Sequence, residues 1–294
     1  MSGMSVLKKL VPAPVKAKIK AYVLRNAPAL PVAVPYQIRL VGKDRLKGQV
    51  AVVTGGSGAI GRAICCHLAA EGAIVYVCGT SDARMGEVVS EIAALGGTAH
   101  AQKLDVGDEG AIRAAFAAIG QAHGRIDILV NCAGGSARED HGAIIDQKTS
   151  VIDAILTINL RGTMLCVREA ARIMVGRGYG RIINVSSIIG ERGKANFAEY
   201  AASKAGVIVF TKSIAMELGT SGITANCVSP GIVQRGAITG DMIEQLKKTN
   251  WLGGYGKPED IASMVSYLVS DEAAFITGQN MIVDGGRSLG LKGD

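Results

Sequence analysis

Tyr200 and Lys204 stand four residues apart in the segment EYAASKAG, which consists mostly of small residues compatible with a helix. On a helix this spacing places both side chains on one face. A free tyrosine has a pKa of about 10 and is a poor acid at neutral pH, but a neighbouring ammonium group stabilises the phenolate and lowers that pKa. The pair therefore predicts a general acid–base group at Tyr200. Ordinary exposed polar side chains on a helix surface are the alternative.

Ser187 is a second residue that could take part in catalysis. It ends the apolar segment RIINVSS and precedes Tyr200 by thirteen residues. A hydroxyl in that place could hold a carbonyl oxygen on which negative charge develops. Taken alone, Ser187 is equally typical of a strand-end cap, so its role depends on what the rest of the chain places around it.

A glycine-rich segment, TGGSGAIG at 54–61, follows an apolar stretch and precedes a helical one. In this order of strand, glycines and helix, Gly55 permits a tight turn, Gly58 lets the backbone approach a pyrophosphate, and Gly61 lets the helix pack closely on the sheet. The helix N-terminus then offers free N–H groups and the positive end of its dipole to phosphates. The segment predicts a dinucleotide site; a purely structural glycine turn is the alternative.

Apolar strand-like segments alternate with amphipathic helical segments from residue 49 onward. This alternation is typical of a parallel sheet covered by helices on both faces. We therefore predict one doubly wound α/β domain over residues 48–294, preceded by an extension over 1–47. The predicted strands are 49–54, 73–78, 98–104, 126–131, 181–186, 224–229 and 280–284, and the predicted helices lie near 59–71, 84–95, 109–123, 150–176, 199–218 and 258–270.

The glycine segment and six further motifs resemble those of the short-chain dehydrogenase/reductase family and occur in the family's order. The motifs are NCAG at 131–134, INL at 158–160, NVSS at 184–187, YAASK at 200–204, SPG at 229–231 and TGQNMIVDGG at 277–286. The resemblance covers nearly all of 48–294 and is closest to the 3-oxoacyl-carrier-protein reductases. It implies a Rossmann-type sheet of about seven mostly parallel strands, a nicotinamide cofactor, and a homotetramer or dimer.

The same resemblance implies a role for each candidate residue. Tyr200 exchanges a proton with a ketone or secondary alcohol while hydride passes to or from nicotinamide, and Ser187 fixes the substrate oxygen. Lys204 also holds the nicotinamide ribose, and Asn159 holds a water that links Lys204 to solvent. The implied cofactor contacts, besides Tyr200 and Lys204, are Gly55, Ser57, Gly58, Ile60, Gly61, Thr80, Ser81, Asp105, Val106, Asn131, Ala133, Gly134, Pro230, Gly231 and Val233.

The end of the second predicted strand bears on the choice of nicotinamide cofactor. NAD-preferring relatives usually carry an Asp there that bonds the ribose hydroxyls, whereas this chain has Gly79 followed by Thr80 and Ser81. Two hydroxyls and no carboxylate favour NADP(H) over NAD(H), and Arg62 or Arg84 could add positive charge for a 2′-phosphate. Against this preference, the Arg common in NADP-preferring relatives at the place of Thr80 is absent.

Substrate specificity in such a fold resides in the loops beyond the strand ends. The resemblance favours a 3-oxoacyl thioester as substrate, carried on an acidic carrier protein that relatives often dock with an Arg after the active-site helix. This chain has GTSG at 219–222 in that place, and Arg177 is a candidate substitute. A free polar ketone, sugar, polyol or steroid is the alternative substrate, and a non-catalytic NADPH-binding regulator is the alternative class of protein. The loops 135–149, 188–198 and 232–256 contain Arg138, His141, Glu191, Arg192, Gln234, Arg235, Trp251 and Tyr255.

The positive charge of the chain is concentrated at its N-terminus. Residues 1–47 carry ten Lys and Arg against a single acid, Asp44, whereas the other 247 residues hold 22 basic and 24 acidic side chains. The formal net charge of +7 therefore does not indicate nucleic-acid binding by the domain. The extension could pack on a neighbouring subunit, bind an acidic partner or a membrane surface, or be disordered, and its apolar part at 28–47 favours packing.

The six cysteines form no CxxC pair and have no histidine at zinc-ligand spacing. We therefore expect reduced thiols in a cytoplasmic protein, rather than disulfides or a metal site. No segment reaches the roughly 18 apolar residues that a membrane span needs, and no secretory signal is visible.

Overall fold

The computed structural model describes residues 44–136, 140–234 and 240–290. Seven strands of this part of the chain form one sheet: β1 Val50–Thr54, β2 Ile74–Gly79, β3 Thr98–Lys103, β4 Ile128–Asn131, β5 Gly180–Val185, β6 Ile223–Pro230 and β7 Asn280–Val283. Neighbouring strands are parallel throughout, in the order β3-β2-β1-β4-β5-β6-β7. The predicted doubly wound Rossmann-type fold is confirmed.

Helices connect the strands and cover both faces of the sheet. They are α1 Ala59–Ala70, α2 Asp82–Ala94, α3 Glu109–His123, α4 Thr149–Leu156, α5 Gly162–Val175, α6 Ile188–Arg192, α7 Ala198–Leu218, α8 Gly240–Lys247 and α9 Pro258–Val269. A π-helical turn, Thr157–Arg161, joins α4 to α5. Side chains alternate along each strand, so that Val53 enters a core formed with α1, α2 and α9, whereas Val52 enters a core formed with α3, α5 and α7.

Local sequence explains where these helices begin and end. The Asp108 carboxylate accepts hydrogen bonds from the N–H groups of Gly110 and Ala111 at 2.7 and 3.1 Å, which caps α3 at its N-terminus. The helix ends at Gly124, whose φ of +65° is a left-handed conformation that glycine adopts without a steric cost. Ser81 caps α2 in the same way, since its hydroxyl accepts the N–H of Arg84.

The chain reverses its direction of winding at β1. After β2 and β3 have been added on one side of β1, the chain crosses to β4 on the other side. In open parallel sheets this reversal opens a crevice at the carboxyl ends of the two central strands, where ligands bind. The sheet therefore places the candidate site beyond Thr54 and Asn131.

The helix predicted near 150–176 and the strand predicted at 181–186 differ from the structure in ways that affect the site. A π-helical turn that contains Asn159 interrupts the helix, and β5 ends at Val185, so that Ser187 caps the short α6. The other predicted elements are present within about two residues of their expected ends, a normal uncertainty for such boundaries. Helices α6 and α8 were not predicted.

The described part of the chain begins with a tight attachment to the domain. Leu46 is fully buried in the core, and the Arg45 guanidinium donates hydrogen bonds to Glu71 at 2.8 Å and to Glu272 at 3.1 Å. The Ser266 hydroxyl also bonds the Glu71 carboxylate. The segment before β1 is thereby joined to the end of α1 and to α9. Residues 1–43 of the predicted extension lie outside the described residues.

The continuous helical segment Thr149–Val175 is 27 residues long and apolar enough to cross a membrane by length and composition alone. In the fold, Cys166, Ala170 and Met174 of this segment are buried in the core against the sheet. Packing within the domain therefore explains part of its apolar composition, since 33% of the apolar window is buried.

Candidate active site

The glycine segment forms the floor of a cleft at the carboxyl ends of β1 and β4. Gly55 has a φ of +65°, and a Cβ added to it would lie 2.8 Å from the Cα and N atoms of Ala133. A Cβ added to Gly61 would overlap the carbonyl oxygen of Gly55. The Thr54 hydroxyl accepts the N–H groups of Cys132 and Ala133 at 3.2 Å each, which ties the two strand ends together. These glycines are needed because their backbones approach each other too closely for any side chain.

Helix α1 presents its N-terminus to this cleft without a side chain that caps it. Gly58 is the N-cap residue, no side chain bonds the first amides, and the first turn contains no acid. Unpaired N–H groups and the positive end of the helix dipole are thus available to an anion. The residues present fit the pyrophosphate of a dinucleotide, with Ser57, Gly58 and Ile60 lining the cleft beside it.

The cleft has a volume of about 520 Å³ and brings together most of the candidate residues. A cavity of this size is within the range of cofactor and ligand sites. Those that line it are Gly55, Ser57, Gly58, Ile60, Gly61, Thr80, Asp105, Val106, Ala133, Gly134, Ser187, Tyr200, Lys204, Pro230, Gly231 and Val233. The sequence analysis missed further lining residues, namely Ala59, Gly79, Leu104, Cys132, Gly135, Ile158, Val185 and Ser186.

Three candidate residues do not line the cleft. Asn159 is completely buried, and Asn131 is almost so, with its Nδ2 donating to Asn184 Oδ1 at 2.9 Å. Ser81 uses its hydroxyl as the cap of α2. Any contact of these residues with a cofactor would have to run through their backbones or through other side chains.

Tyr200 and Lys204 lie on α7 and face the cleft, as the spacing predicted. Both side chains are buried, and Lys204 Nζ lies 6.0 Å from the centroid of the Tyr200 ring. Lys204 Nζ also donates a hydrogen bond of 2.8 Å to the carbonyl oxygen of Val185, and its own carbonyl accepts the Ser186 hydroxyl at 2.8 Å. These two bonds fix α7 against the end of β5, so the ammonium group is held beside the phenol in a site of low dielectric constant.

Ser187 follows directly on β5 and has two structural tasks. It lines the cleft with Tyr200, and its Oγ accepts the N–H of Ile189 at 3.2 Å as the cap of α6. A hydroxyl that accepts one bond keeps its proton available for an oxygen in the cleft. The cap therefore orients Ser187 and leaves its hydroxyl proton available.

Asn159 braces the loop after β4 from inside the π-helical turn. Its Oδ1 accepts the N–H of Gly135 at 3.0 Å, and its Nδ2 donates to the Gly135 carbonyl at 3.0 Å and to Ser203 Oγ at 3.0 Å. The side-chain amide is therefore engaged on both sides. The role of Asn159 in holding a water stays a prediction.

The two arginines that could add charge near a 2′-phosphate differ in their surroundings. Arg84 lines the cleft with Thr80, whereas Arg62 Nε donates to Glu91 Oε2 at 2.6 Å. That hydrogen bond lowers the pKa of Glu91 and raises that of Arg62. Of these two arginines, Arg84 is the one that lines the cleft.

An aromatic contact joins two of the loops expected to select substrate. The His141 ring stacks on the Phe197 ring with centroids 4.8 Å apart and planes at 15°, and Lys194 Nζ lies 4.2 Å from the centroid of Phe197. The contact ties the loop after β4 to the N-terminus of α7, three residues before Tyr200. Arg138 and Arg235 lie outside the described residues.

Arg177 lies far from the cleft within this chain. It precedes β5, whereas the cleft lies beyond the end of that strand at Val185. Six residues of extended strand span about 20 Å. The GTSG turn before β6 is at the same distant end of the sheet. Neither segment is positioned to dock a carrier at the mouth of its own cleft.

Glu199 is a buried acid that the sequence analysis did not select. It directly precedes Tyr200, is 5% exposed, and neither carboxylate oxygen has a hydrogen-bond partner among the described residues. Its position four residues before Ser203 places it on the stripe of α7 that faces the π-helical turn. That spacing was the available sequence signal.

The cysteines are free thiols, and four of the six are buried. Burial raises the pKa of Cys166 and of Cys227 to about 12. Cys132 lines the cleft, and Cys66 is half-buried outside it. Across the described ranges, no three His, Cys, Asp or Glu side chains are grouped as a metal ion would require.

Comparison with known proteins shows similarity along nearly the whole domain. A family model described as enoyl-(acyl carrier protein) reductase matches residues 55–288. The chain is 38% identical over 248 residues to the 3-oxoacyl-[acyl-carrier-protein] reductase FabG of Aquifex aeolicus, covering 82% of this chain and 98% of that protein. It is 37% identical over 248 residues to the short-chain reductase protein NovJ of Streptomyces niveus, covering 81% and 93%.

Solved structures show the same similarity in three dimensions. A short-chain dehydrogenase/reductase from Serratia marcescens superimposes with a TM-score of 0.77 at 38% identity, covering 83% of this chain and 99% of that one. A short-chain type dehydrogenase/reductase from Mycobacterium ulcerans superimposes with a TM-score of 0.78 at 31% identity, covering 83% and 91%.

Proposed function

The chain belongs to the short-chain dehydrogenase/reductase family of nicotinamide-dependent oxidoreductases acting on CH–OH and C=O groups, and from that premise we propose that it reduces the ketone of a 3-oxoacyl thioester with NADPH. The observation that carries the proposal is the convergence of Ser187, Tyr200 and Lys204 on the cleft that also contains the glycine segment. Proton-transfer groups and a dinucleotide cradle in one cavity are what carbonyl reduction requires.

A bound reduced nicotinamide supplies the hydride, and the chain supplies the proton and the electrostatic environment. Tyr200 donates its phenolic proton to the ketone oxygen as negative charge develops there. The Lys204 ammonium, 6.0 Å from the ring centroid, favours the resulting phenolate. The Ser187 hydroxyl donates a hydrogen bond to the same substrate oxygen, because its acceptor side is already engaged with the backbone of α6.

The proposed preference for NADPH rests on the end of β2. Gly79, Thr80 and Arg84 line the cleft there, and no carboxylate of the described β2–α2 segment lines it with them. An Asp at this place would repel a 2′-phosphate, whereas a guanidinium group attracts it. Arg84 is exposed, which suits a side chain that contacts the cofactor at the edge of the cleft.

The proposed thioester substrate is supported by the relatives and by the surface around the cleft. Reductases named for 3-oxoacyl groups on acyl carrier protein are among the most similar proteins. In the loops that follow β4 and β5, Ile145 is 89% exposed and Lys194 is exposed. An aliphatic side chain and a cation in the loops that border the site suit an acyl chain joined to an anionic carrier group.

The test is steady-state NADPH oxidation with an acetoacetyl thioester, using Tyr200→Phe as the catalytic control. We expect turnover with the 3-oxo thioester that is lost in the variant. A crotonyl thioester serves as a matched substrate with a C=C bond in place of the ketone, and free sugars, polyols and steroid ketones complete the panel. Turnover of crotonyl or of a free ketone alone would contradict the thioester ketone. NADPH binding without turnover of any carbonyl would favour a regulator.

We also propose a homo-oligomer that buries the outer face of α7. Val209 is 62% exposed and Met216 is 77% exposed on α7, although this helix also buries Val207 and Ile208 on its other side. Large aliphatic side chains exposed on the outer side of a helix whose inner side is already buried are expected to meet an apolar partner, here a second copy. Light scattering should give a dimer or tetramer, and Met216→Glu should shift it toward monomer; a monomeric parent would contradict the proposal.

The location and the extension complete the proposed function. Six free cysteines suit the reducing cytoplasm. The role of residues 1–47 stays a prediction. If the apolar part packs on a neighbouring subunit, deleting 1–43 should reduce oligomer size, and if the basic part binds a membrane surface, deleting 1–26 should abolish binding to anionic liposomes. Unchanged oligomer size together with unchanged liposome binding would contradict both proposed contacts.

A further inference from the structure

We infer that Ser203 is a positioning residue that sets the nicotinamide end of the cleft by holding Asn159. The inference concerns the same site as the proposed function and rests on the cofactor binding in it. Ser203 is fully buried on α7, three residues after Tyr200 and directly before Lys204, and it does not line the cleft. Its hydroxyl nevertheless joins the catalytic helix to the π-helical turn.

The hydrogen bonds of Ser203 have a fixed direction. Its Oγ donates its single proton to the carbonyl oxygen of Tyr200 at 2.8 Å. It can therefore only accept the bond from Asn159 Nδ2, at 3.0 Å. This direction requires the Asn159 amide to keep its nitrogen toward α7 and its oxygen toward the N–H of Gly135.

Asn159 transmits that orientation to the loop after β4. Its two bonds to Gly135, one to the N–H and one to the carbonyl, clamp a single residue from both sides. The preceding Gly134 is enclosed as well, because a Cβ added to it would lie 2.7 Å from Asn159 Oδ1 and 3.5 Å from Lys204 Nζ. The loop backbone at Gly134 thus packs too closely on Asn159 for any side chain, with the lysine nearby.

The consequence is a spacing set by buried hydrogen bonds. Gly134, Gly135 and Lys204 all line the cleft, so the gap between the loop backbone and the lysine is part of it. If Ser203 loses its oxygen, one N–H of Asn159 loses its partner in a completely buried place, which is costly. We therefore expect the Asn159 side-chain amide to rotate, which allows Gly134 and Gly135 to move relative to Lys204.

The experiment compares Ser203→Ala, Ser203→Thr and Ser213→Ala. Ser213 is a half-buried serine of the same helix whose hydroxyl donates to the carbonyl oxygen of Val209 at 3.4 Å, so its removal controls for the loss of a hydroxyl from α7. NADPH affinity is measured by fluorescence titration, which needs no substrate. We expect Ser203→Ala to weaken NADPH binding about tenfold, roughly 1.4 kcal/mol, and Ser203→Thr and Ser213→Ala to bind like the parent.

A second readout separates positioning from simple stability. With the thioester substrate, Ser203→Ala should lower kcat at saturating NADPH while KM for the thioester stays within about twofold. Should Ser203→Ala not fold, Ser203→Cys replaces it, because a thiol keeps the volume but accepts hydrogen bonds poorly. Parental NADPH affinity in the Ala or the Cys variant would overturn the inference, as would equal loss in the Thr variant. Failure of the thioester assay would count against the proposed substrate and leave the titration decisive.

Discussion

The two ends of the cleft recognise their ligands with different parts of the chain. The glycine end consists of backbone: the amides of α1 at Gly58 and the close approach of Gly55 to Ala133. The catalytic end consists of the side chains of Tyr200 and Lys204, and the Lys204 ammonium is held by a hydrogen bond to the carbonyl oxygen of Val185. A site made of backbone is damaged by added atoms, whereas a site made of side chains is damaged by removed ones.

The largest expected effect is at the catalytic end. Tyr200→Phe removes the proton donor and leaves the ring, so kcat should fall about a thousandfold. NADPH affinity by fluorescence titration should change less than about threefold, because the glycine end is untouched. Retained reductase activity would show that the phenol is not the acid. It would also contradict the view that the catalytic end, unlike the glycine end, depends on its side chains.

The converse change is Gly55→Ala, which adds one carbon at the glycine end. The new Cβ would lie 2.8 Å from the backbone of Ala133. The alanine would also have to keep a φ of +65°, which residues with a side chain rarely adopt. We expect a loss of about 3 kcal/mol in the free energy of unfolding, together with loss of NADPH binding.

The matched control for that change is Gly124→Ala. Gly124 also has a φ of +65°, but nothing lies within 4 Å of its added Cβ. Its cost should be about 1 kcal/mol, with NADPH binding unchanged. Denaturant unfolding measures both variants, and equal losses would show that backbone strain rather than close approach determines the role of Gly55.

A smaller effect should arise where the glycine end depends on a side chain. Arg84→Ala should weaken NADPH binding about tenfold and leave NADH binding unchanged, because only NADPH carries the 2′-phosphate. Arg62→Ala is the control, since Arg62 bonds Glu91 instead. Titration of both cofactors against both variants checks this, and an equal loss for NADH would place Arg84 away from the 2′ position.

The smallest effect expected is protection of one thiol. Iodoacetamide at pH 8 should label Cys66 and Cys132 before the buried cysteines, and the pKa of about 12 at Cys166 and Cys227 leaves almost no thiolate there. NADPH should slow labelling of Cys132, which lines the cleft, severalfold and leave Cys66 unaffected. Peptide mass spectrometry reads both sites, and equal rates with and without NADPH would contradict the assigned cleft.

The sequence predicted the features that depend on neighbours along the chain. The spacing of Gly55, Gly58 and Gly61 and that of Tyr200 and Lys204 are local, and the structure places all five residues at one cleft. The alternation of segments likewise predicted the order of strands and helices, since parallel strands need helical crossovers.

Features that depend on distant partners were beyond the sequence. In the sequence, Arg62 and Arg84 were equal candidates for contact with a phosphate. The fold distinguishes them, because it places Glu91 against Arg62. The brace between Ser203 and Asn159 joins residues 44 positions apart, and the π-helical turn that directs Asn159 toward Gly135 has no simple sequence signature. For Glu199 the spacing from Ser203 was the only signal in the sequence, and it was weak because acids are rarely buried.

The attachment at Arg45 has a mechanical consequence for the extension. Its guanidinium group binds two acids from separate parts of the fold, Glu71 and Glu272, immediately before Leu46 enters the core. A pull on residues 1–43, whether from a tether, a fused domain or a bound surface, would therefore be borne by this anchor before it reached β1. We therefore expect the sheet and the cleft to keep their structure when force acts on the extension, as long as the contacts of Arg45 with both acids are intact.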